Sequence, residues 1–564
     1  MPQQPPAAPR SFIEGLASGR LPWELFADFP EPGPEEPPAQ REALAELGGL
    51  VDARVDGDEV DRTGVWPEGL VEELRARGFF QLRGPSGRGL TPYGLVQLAA
   101  RADSRSMGVG QMLLVQNGIA AGALLPALEP GPLYDFLSAH SAAGAISGFG
   151  DTDPAGQNNT LPATTATLTE DGSAYLLDGE KLFIANAHLA DVIGVSATVT
   201  GPGGPVAGVF FLPTDTPGFE VISPSEFIGV NGLSASFRLT GARVPAERAL
   251  LGDATMRLPR AIALQGSYGR TAFASAGALA VLRNCLEYTG EFVARRRIDG
   301  RPLAEYDKIQ RIIAANLSDE FAVESAVRWT MLERGPKDRA FELYVTKNLA
   351  AERGWRASDR TVSLLGGEGI ETERSKRRRG AVPHPVERYH RDARTLRVVG
   401  NVDFINDHRA GRMLLARHQA GAPAAFQAPE ISGTRLSEAN RRHLGAAASV
   451  FPELYLACRR LVAAGLDPAG QEEAVILVGR LATELFALCA VLGRAQSEGD
   501  GPAQDLADVY AEAALHRVTS LIRRLSAEER SDVPDYAGIS RAWLAAGRPS
   551  QDPAAGPAKE RVHS

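Results

Sequence analysis

Apolar residues along this chain fall into three successive patterns, each predicting a different kind of element. From about Gln40 to Ala145 they recur at helical spacing. Glu68–Arg77 and Leu95–Ala102 carry them at i, i+3 and i+4, and Met107–Ala127 is mostly apolar, as a central helix would be. From Ala145 to Gly252 the period drops to two, in runs such as Tyr175–Leu177, Val192–Val199, Val206–Leu212 and Phe237–Thr240. Turn signals at Asp171–Gly172 and Gly201–Gly204 separate these runs. After Gly252 helical spacing returns, predicting helices around Ala261–Arg295, Lys308–Glu333, Asp338–Leu364 and Val402–His418. Segments near Ser437–Ala464, Gln471–Ala495, Gln504–Leu525 and Ile539–Ala546 predict an appended helical bundle.

Helices, then strands, then helices predict an α+β chain with segregated layers, not an alternating βαβ sheet. The expected division is an arm at 1–39, a helical domain at 40–145, a β domain at 146–258 and a second helical domain at 259–418. A linker at 419–433, a helical extension at 434–550 and a disordered tail at 551–564 follow. Residues 1–10 and Pro32–Pro38 read as breaks, being rich in proline. Between them, Ser11–Pro30 holds Phe12, Ile13, Leu16, Trp23, Leu25 and Phe26, more large apolar groups than a free tail carries. This arm is expected to pack on the body.

Bulk properties remove several function classes. A net charge of -9 over 564 residues lacks the basic footprint of a nucleic-acid binder. Cys285, Cys458 and Cys489 lie far apart in apolar contexts, so neither a disulfide framework nor a metal site is expected. The opening MPQQPPAAPR is not a secretory signal, and no run of about 20 apolar residues is read as a membrane span, so a cytoplasmic location is expected. No GxGxxG follows a strand, which leaves a Rossmann nucleotide site unsupported.

The candidate chemistry lies in short segments spread over both halves. Phe149-Gly150-Asp151-Thr152-Asp153-Pro154 and Gly179-Glu180-Lys181-Leu182-Phe183-Ile184-Ala185-Asn186-Ala187 stand in the β region. Gly269-Arg270, Glu291-Phe292 through Arg296 to Asp307, Leu365-Gly366-Gly367-Glu368-Gly369 and Arg391-Asp392-Ala393-Arg394 follow in the helical region. In this order and spacing they resemble the acyl-CoA dehydrogenase family over roughly residues 45–415. The arm and the C-terminal extension are similar to its very-long-chain branch.

That resemblance implies the acyl-CoA dehydrogenase fold: an N-terminal helical domain, a middle β-barrel-like domain and a C-terminal four-helix domain. It also implies FAD and a homodimer. Phe149, Asp151 and Thr152 would touch the flavin pyrimidine, and Phe183 and Ala185 would run along the flavin. Arg296 would reach FAD phosphates across the dimer, with Asp307, Ser363, Gly366, Gly367 and Val402 at further FAD positions. The glycines allow close backbone approach to a phosphate.

The same comparison exposes departures. The family glutamate that removes the substrate α-proton is Gly400 here, and the alternative position, just before the arginine of the active-site helix, is Gly269. A general base contributes about 10²–10⁴-fold, so ordinary dehydrogenation of a saturated acyl-CoA is disfavoured. Phe183, Ala185, Asp307, Ser363 and Val402 also replace family residues around the flavin.

Three readings stay open. The first is an FAD enzyme of specialised metabolism that decarboxylates and oxidises a β-keto acid, free or carrier-bound. It would also use O₂ as a monooxygenase, as the acyl-CoA-dehydrogenase-like epoxyketone synthases of bacterial natural-product pathways do. The second is an acyl-CoA or acyl-carrier dehydrogenase with a relocated base, for which Asp403 is a candidate. The third is a non-catalytic partner protein. In the first, Arg270 would bind a carboxylate, and Tyr268 and Asn401 would donate to an enolate oxygen. The basic run Arg374–Arg379 is either a docking site for a phosphate-bearing carrier or a solvated loop.

Overall fold

The computed structural model describes residues 11–30, 38–83, 87–157, 159–201, 204–252, 260–332, 339–420, 435–465, 471–528 and 534–546. The expected disordered segment 1–10, the break at 31–37, the linker beyond Ala420 and the tail lie outside the described residues. The fold is mixed α+β, with a helical extension beyond the core.

The period-2 region forms one eight-stranded sheet. Its spine is Ala174–Ala185 paired antiparallel with Ser234–Pro245, and Val192–Gly201 paired antiparallel with Gly204–Pro213. Ser147–Gly150 adds in parallel to Val192–Gly201 and carries Phe149 to the sheet's edge. Alternate residues point inward, so Tyr175, Phe210 and Phe237 share one buried cluster. The register between Ala174–Ala185 and Ser234–Pro245 breaks between Lys181 and Ile184, and Phe183 sits in that break at φ 62°. A bulge re-aims side chains, and here it turns Phe183 outward, 57% exposed.

Two helical cores flank the sheet. One joins the first helical domain to the long helix Arg260–Arg295 and the helix Ala340–Leu365. Small residues let these two helices close up: a Cβ on Gly354 would lie 3.1 Å from Ala278. The other core joins the arm to the extension. Ser11 caps Phe12–Ala17, its hydroxyl accepting from the Glu14 N–H. The Phe12 ring then packs among Phe26, Phe341, Phe451 and Phe486, and Phe26 stacks on Trp329 at 5.1 Å. Fully burying a phenylalanine contributes about 1.5–3 kcal/mol, which is why the arm is fixed to the body.

Three expectations need correction. Met107–Ala127 and Glu472–Glu498 are long and apolar enough to cross a membrane by composition, but 89% of each such window is buried inside the protein. They are core helices. Tyr536–Ala545 does not join the bundle core, since none of its residues is buried. The basic run is not an irregular loop. It forms the helix Glu373–Arg378, where Lys376 is buried and donates to the His384 carbonyl. Arg377 pairs with Asp56 and Glu373, and Arg379 with Glu371.

The Arg391–Arg394 segment clamps the domains together. Arg391 pairs with Asp61 of the first helical domain and donates to the Ile228 carbonyl of the β domain. Asp392, buried, accepts from the Val230 N–H at 2.7 Å. Asp103 lies close by, fully buried and accepting from Gln111 at 2.7 Å. Burial raises the Asp103 carboxyl well above its ordinary range and Asp392 adds to this, while burial pushes Asp392 itself up to about 6.

A folded pKa above the unfolded value of roughly 3.9 means that the folded protein holds the extra proton. The stability so gained is full below about pH 4 and is lost as pH rises through the folded pKa. Asp103→Asn mimics the protonated acid and removes that loss. The Tm difference, mutant minus wild type, is therefore expected to grow as pH is raised from about 4 to about 8. A flat or shrinking difference in scanning calorimetry would mean that Asp103 is ionised in the folded protein.

Candidate active site

Where the sheet meets the long helix, a cavity of about 180 Å³ opens. The sheet side contributes Phe149, Asp151, Thr152, Phe183 and Ala185; the helical side contributes Arg270, Phe273 and Gly400. Residues more than 200 positions apart in sequence thus share one wall. The loop through Asp151 and Thr152 is held by two contacts that the sequence reading missed. The Leu182 N–H donates to the Thr152 carbonyl at 2.8 Å. Lys181, fully buried, donates to the Asp151 carbonyl, the Ser196 hydroxyl and the Asp153 carboxylate at 3.2, 3.2 and 3.4 Å. Burial pulls the Lys181 ammonium down from its ordinary range, and the Asp153 charge opposes this. The lysine of the GEKLFIANA segment was the available signal.

On the helical side the chain is built around the two glycines. Gly400 sits at φ 66°, and a Cβ there would meet the Arg270 side chain at 3.3–3.4 Å. At Gly269 a Cβ would lie 2.3 Å from Ile119 and 2.7 Å from the Gly118 carbonyl. The helix Arg260–Arg295 crosses the end of Met107–Gly118 there with no room for any side chain. Neither position carries a carboxylate: at Gly269 the space is closed, and at Gly400 the Arg270 side chain borders it.

What stands behind Gly400 is cationic. Lys347, from the helix Ala340–Leu365, is 2% exposed and donates to the Asn401 carbonyl at 2.8 Å. Burial pushes its ammonium down to about 8, with Arg270 and Arg397 adding to the fall and Asp403 and Asp407 opposing it. No local motif in the sequence distinguishes this lysine from a surface one. Asn401, at φ 81° and 3% exposed, has neither side-chain atom hydrogen-bonded.

The remaining expected site residues are placed elsewhere. Tyr268 packs against the helical core and lines none of the described cavities. Asp403 is held in a two-bond pair with Arg397, at 2.8 and 2.5 Å, and lines none of the described cavities, so it is not placed as a base. Val402 lies at the start of the helix Asp403–Gln419 without lining the cavity. Arg296, Asp307, Ser363, Gly366 and Gly367 are exposed, away from the cavity, around the end of the long helix. An Arg295–Glu368 ion pair ties that helix end to the Gly366–Gly369 turn.

Among the described residues lining the cavity, Asp151 is the one carboxylate. It accepts from Ser196 and Gln157 at 3.0 Å and lies 4.0 Å from Arg270. The arrangement suits an anionic substrate group next to Arg270 and an apolar body over Phe149, Phe183 and Phe273.

Comparison with known proteins agrees with this architecture. The family model of the acyl-CoA dehydrogenase middle domain matches residues 148–241, and that of the C-terminal domain residues 264–401. A probable acyl-CoA dehydrogenase of Mycobacterium tuberculosis is 30% identical over 430 residues, 73% of this chain. The chain spans 63% of the length of that relative. The very long-chain specific acyl-CoA dehydrogenase of human mitochondria is 26% identical over 592 residues, 96% of this chain and 88% of that one. Among solved structures, an acyl-CoA dehydrogenase complexed with FAD from Bacillus anthracis superposes with a TM-score of 0.73 over 92% of each chain, at 18% identity. Sheet, long helix and both matched domains give this chain the acyl-CoA dehydrogenase fold, with sequence similarity to that family over its middle and C-terminal domains.

Proposed function

We propose that this chain is an FAD-dependent oxidoreductase whose substrate forms its own carbanion, by loss of CO₂ from a β-keto acid. The carrying observation is the wall around Gly400. The Arg270 side chain stands 3.3–3.4 Å from where a Cβ at Gly400 would lie, and Lys347 is buried behind it, donating to the Asn401 carbonyl.

The residues present fit FAD. Phe183 shows an aromatic face beside a largely apolar cavity, and Phe149, Asp151, Thr152 and Ala185 complete the flavin side. Gly366 and Gly367 stand open, with nothing within 4 Å of a Cβ position. Together with the exposed Arg296, Asp307 and Ser363 they would meet the cofactor of a second copy, so a homodimer is part of the proposal. Bound FAD supplies a hydride acceptor.

The chain's own residues do the rest. Breaking the bond to CO₂ leaves its electron pair on the α-carbon, delocalised into the ketone as an enolate, and no protein base is consumed. Arg270 faces that developing charge as a fixed donor, the kind of preorganised electrostatics that contributes most to lowering such barriers. The apolar wall excludes water from the carbanion. Oxygenation and epoxyketone formation rest on no residue of this pocket and are not part of the proposal.

Asp151 supports a second reading, in which it serves as the relocated base of an acyl-CoA or acyl-carrier dehydrogenase. One anaerobic experiment separates the two. The FAD-loaded protein is mixed with a β-keto acid or with a saturated acyl-CoA, and the flavin absorbance near 450 nm (roughly; the oxidised flavin band that reduction bleaches) is followed. Bleaching by the keto acid alone is expected. Bleaching by acyl-CoA that is lost in Asp151→Asn would replace the first reading with the second.

A further inference from the structure

The helical extension reaches the wall of the main cavity through one connected set of polar side chains. Its helix Glu472–Glu498 crosses the helix Asp403–Gln419 at backbone contact. A Cβ on Gly479 would lie 1.9 Å from the Asp407 carbonyl, and one on Gly411 would lie 2.1 Å from the Val475 carbonyl. At that crossing Arg480 donates to the Asp407 carboxylate at 2.9 Å. We infer that this Arg480–Asp407 pair positions the site, holding through Asn348 and Asn406 the Gly400–Asn401 turn on which the Arg270 side chain rests. This rests on the reading of the main cavity as the oxidation site, and adds a part for a helix that lines none of the described cavities.

Three observations carry it. The first is strain. Gly400 at φ 66° and Asn401 at φ 81° put consecutive residues in the left-handed region, which a residue other than glycine keeps only where its surroundings over-determine it. The Asn401 side chain gives no help, since its Oδ1 and Nδ2 are buried without a partner. Support comes through its carbonyl, which accepts from Lys347 at 2.8 Å and from Asn406 at 3.4 Å. The second is orientation. Asn406 also donates to the Asn348 Oδ1 at 3.2 Å, while the Asn348 Nδ2 donates to the Asp403 carbonyl and to Asp407, at 2.7 Å each. An amide has one donating and one accepting end. An acceptor at Asp407 therefore keeps the Asn348 oxygen toward Asn406, and the Asn406 nitrogen toward the turn. The third is charge. Asp407 is buried, which pushes its carboxyl up to about 6, and the Arg480 guanidinium opposes this. The pairing keeps Asp407 an acceptor.

The turn has other supports, and they act elsewhere on it. The Asp403 N–H donates to the Arg397 carbonyl at 3.0 Å, and the Arg397 and Asp403 side chains pair. Those contacts join the ends of the turn and leave its middle to Lys347 and Asn406. Gly400 lines the main cavity, and the methylenes of Arg270 lie 3.3–3.4 Å from its Cβ position. A shift of the turn moves the surface against which Arg270 sits, and the guanidinium with it. The extension thus bears on the site without touching what is bound there.

The test compares two double variants of the full-length FAD-loaded protein. Arg480→Met with Asp407→Asn, and Arg480→Met with Asp407→Ala, both remove the ion pair, and only the first keeps an oxygen opposite Asn348. The visible circular dichroism of bound FAD, which reports the asymmetry of its surroundings, is expected to match wild type in the asparagine pair and to differ in the alanine pair. Flavin reduction at saturating β-keto acid is expected to be about tenfold slower in the alanine pair than in the asparagine pair, the equivalent of one hydrogen bond. Arg480→Met alone is expected to follow the alanine pair, because a buried carboxylate without its cation takes up a proton, and Arg480→Lys to return toward wild type. Dichroism that is unchanged in Arg480→Met, or altered equally in both double variants, overturns the positioning role. Dichroism that separates the two pairs, in a protein whose flavin no β-keto acid bleaches, keeps the role and overturns only the decarboxylative reading.

Discussion

Arg270→Gln is expected to slow anaerobic flavin reduction by a β-keto acid by about 10²–10⁴-fold, taking roughly 1.5–3 kcal/mol for each of two charge-assisted bonds to the reacting group. The guanidinium is the one cation among the described residues lining the main cavity, and it also lines the polar cavity beside it and the small cavity in front of Lys347. Stability should change little. The ion pair described for Arg270 is long, 4.0 Å to Asp151, and its side chain is 28% exposed. Arg270→Lys is expected to recover only part of the rate, because an ammonium keeps the charge but lacks the planar fork that can bond two oxygens at once. A glutamine variant that reduces its flavin at the wild-type rate would remove Arg270 from the chemistry.

Gly269→Ala is expected to be the most destabilising single methyl in the site, at about 3 kcal/mol or more, the upper range for overpacking a closed contact. The new Cβ would lie 2.3 Å from Ile119 and 2.7 Å from the Gly118 carbonyl, and the second of these is backbone that cannot rotate away. Gly400→Ala makes the control. Its cost is the left-handed backbone at φ 66°, roughly 1–2 kcal/mol, plus a contact with flexible methylenes of Arg270 that can yield. Denaturant midpoints should rank Gly269→Ala well below Gly400→Ala, and both below wild type. The reverse order would mean that the helix crossing at Gly269 is looser than described. The same geometry predicts that Gly400→Glu will not restore a free base, since its carboxylate would emerge against Arg270 and pair with it.

These two glycines show how much of the site the sequence makes legible. Their identity, and so the missing base, could be read by counting from Arg391–Arg394 and from Arg270. Whether the glycines were gaps or closed contacts could not, because that depends on Ile119 and Gly118 at the first and on Arg270 at the second, all distant in the chain. Asp403 failed as a base for a similar reason. Its position on the helix was predictable, whereas its pairing with Arg397 is a side-chain choice fixed by the turn between them. Lys181 and Lys347 were missed as site residues because a buried lysine looks like any other in a sequence; only packing removes its water.

By itself the sequence determined the α+β layering, the arm's attachment and the family resemblance, since each follows from local periodicity or from motifs in fixed order. The tertiary structure alone decided which residues share a wall. It brought Phe149, Asp151, Thr152, Phe183 and Ala185 to Arg270 and Gly400, and left Tyr268, Asp403 and Val402 outside. It also set the Arg270 side chain against Gly400 and buried Lys347 behind the Asn401 carbonyl. The physical reason is range. Periodicity and turn chemistry act over a few residues, while desolvation and closed contacts are set by elements distant in the chain.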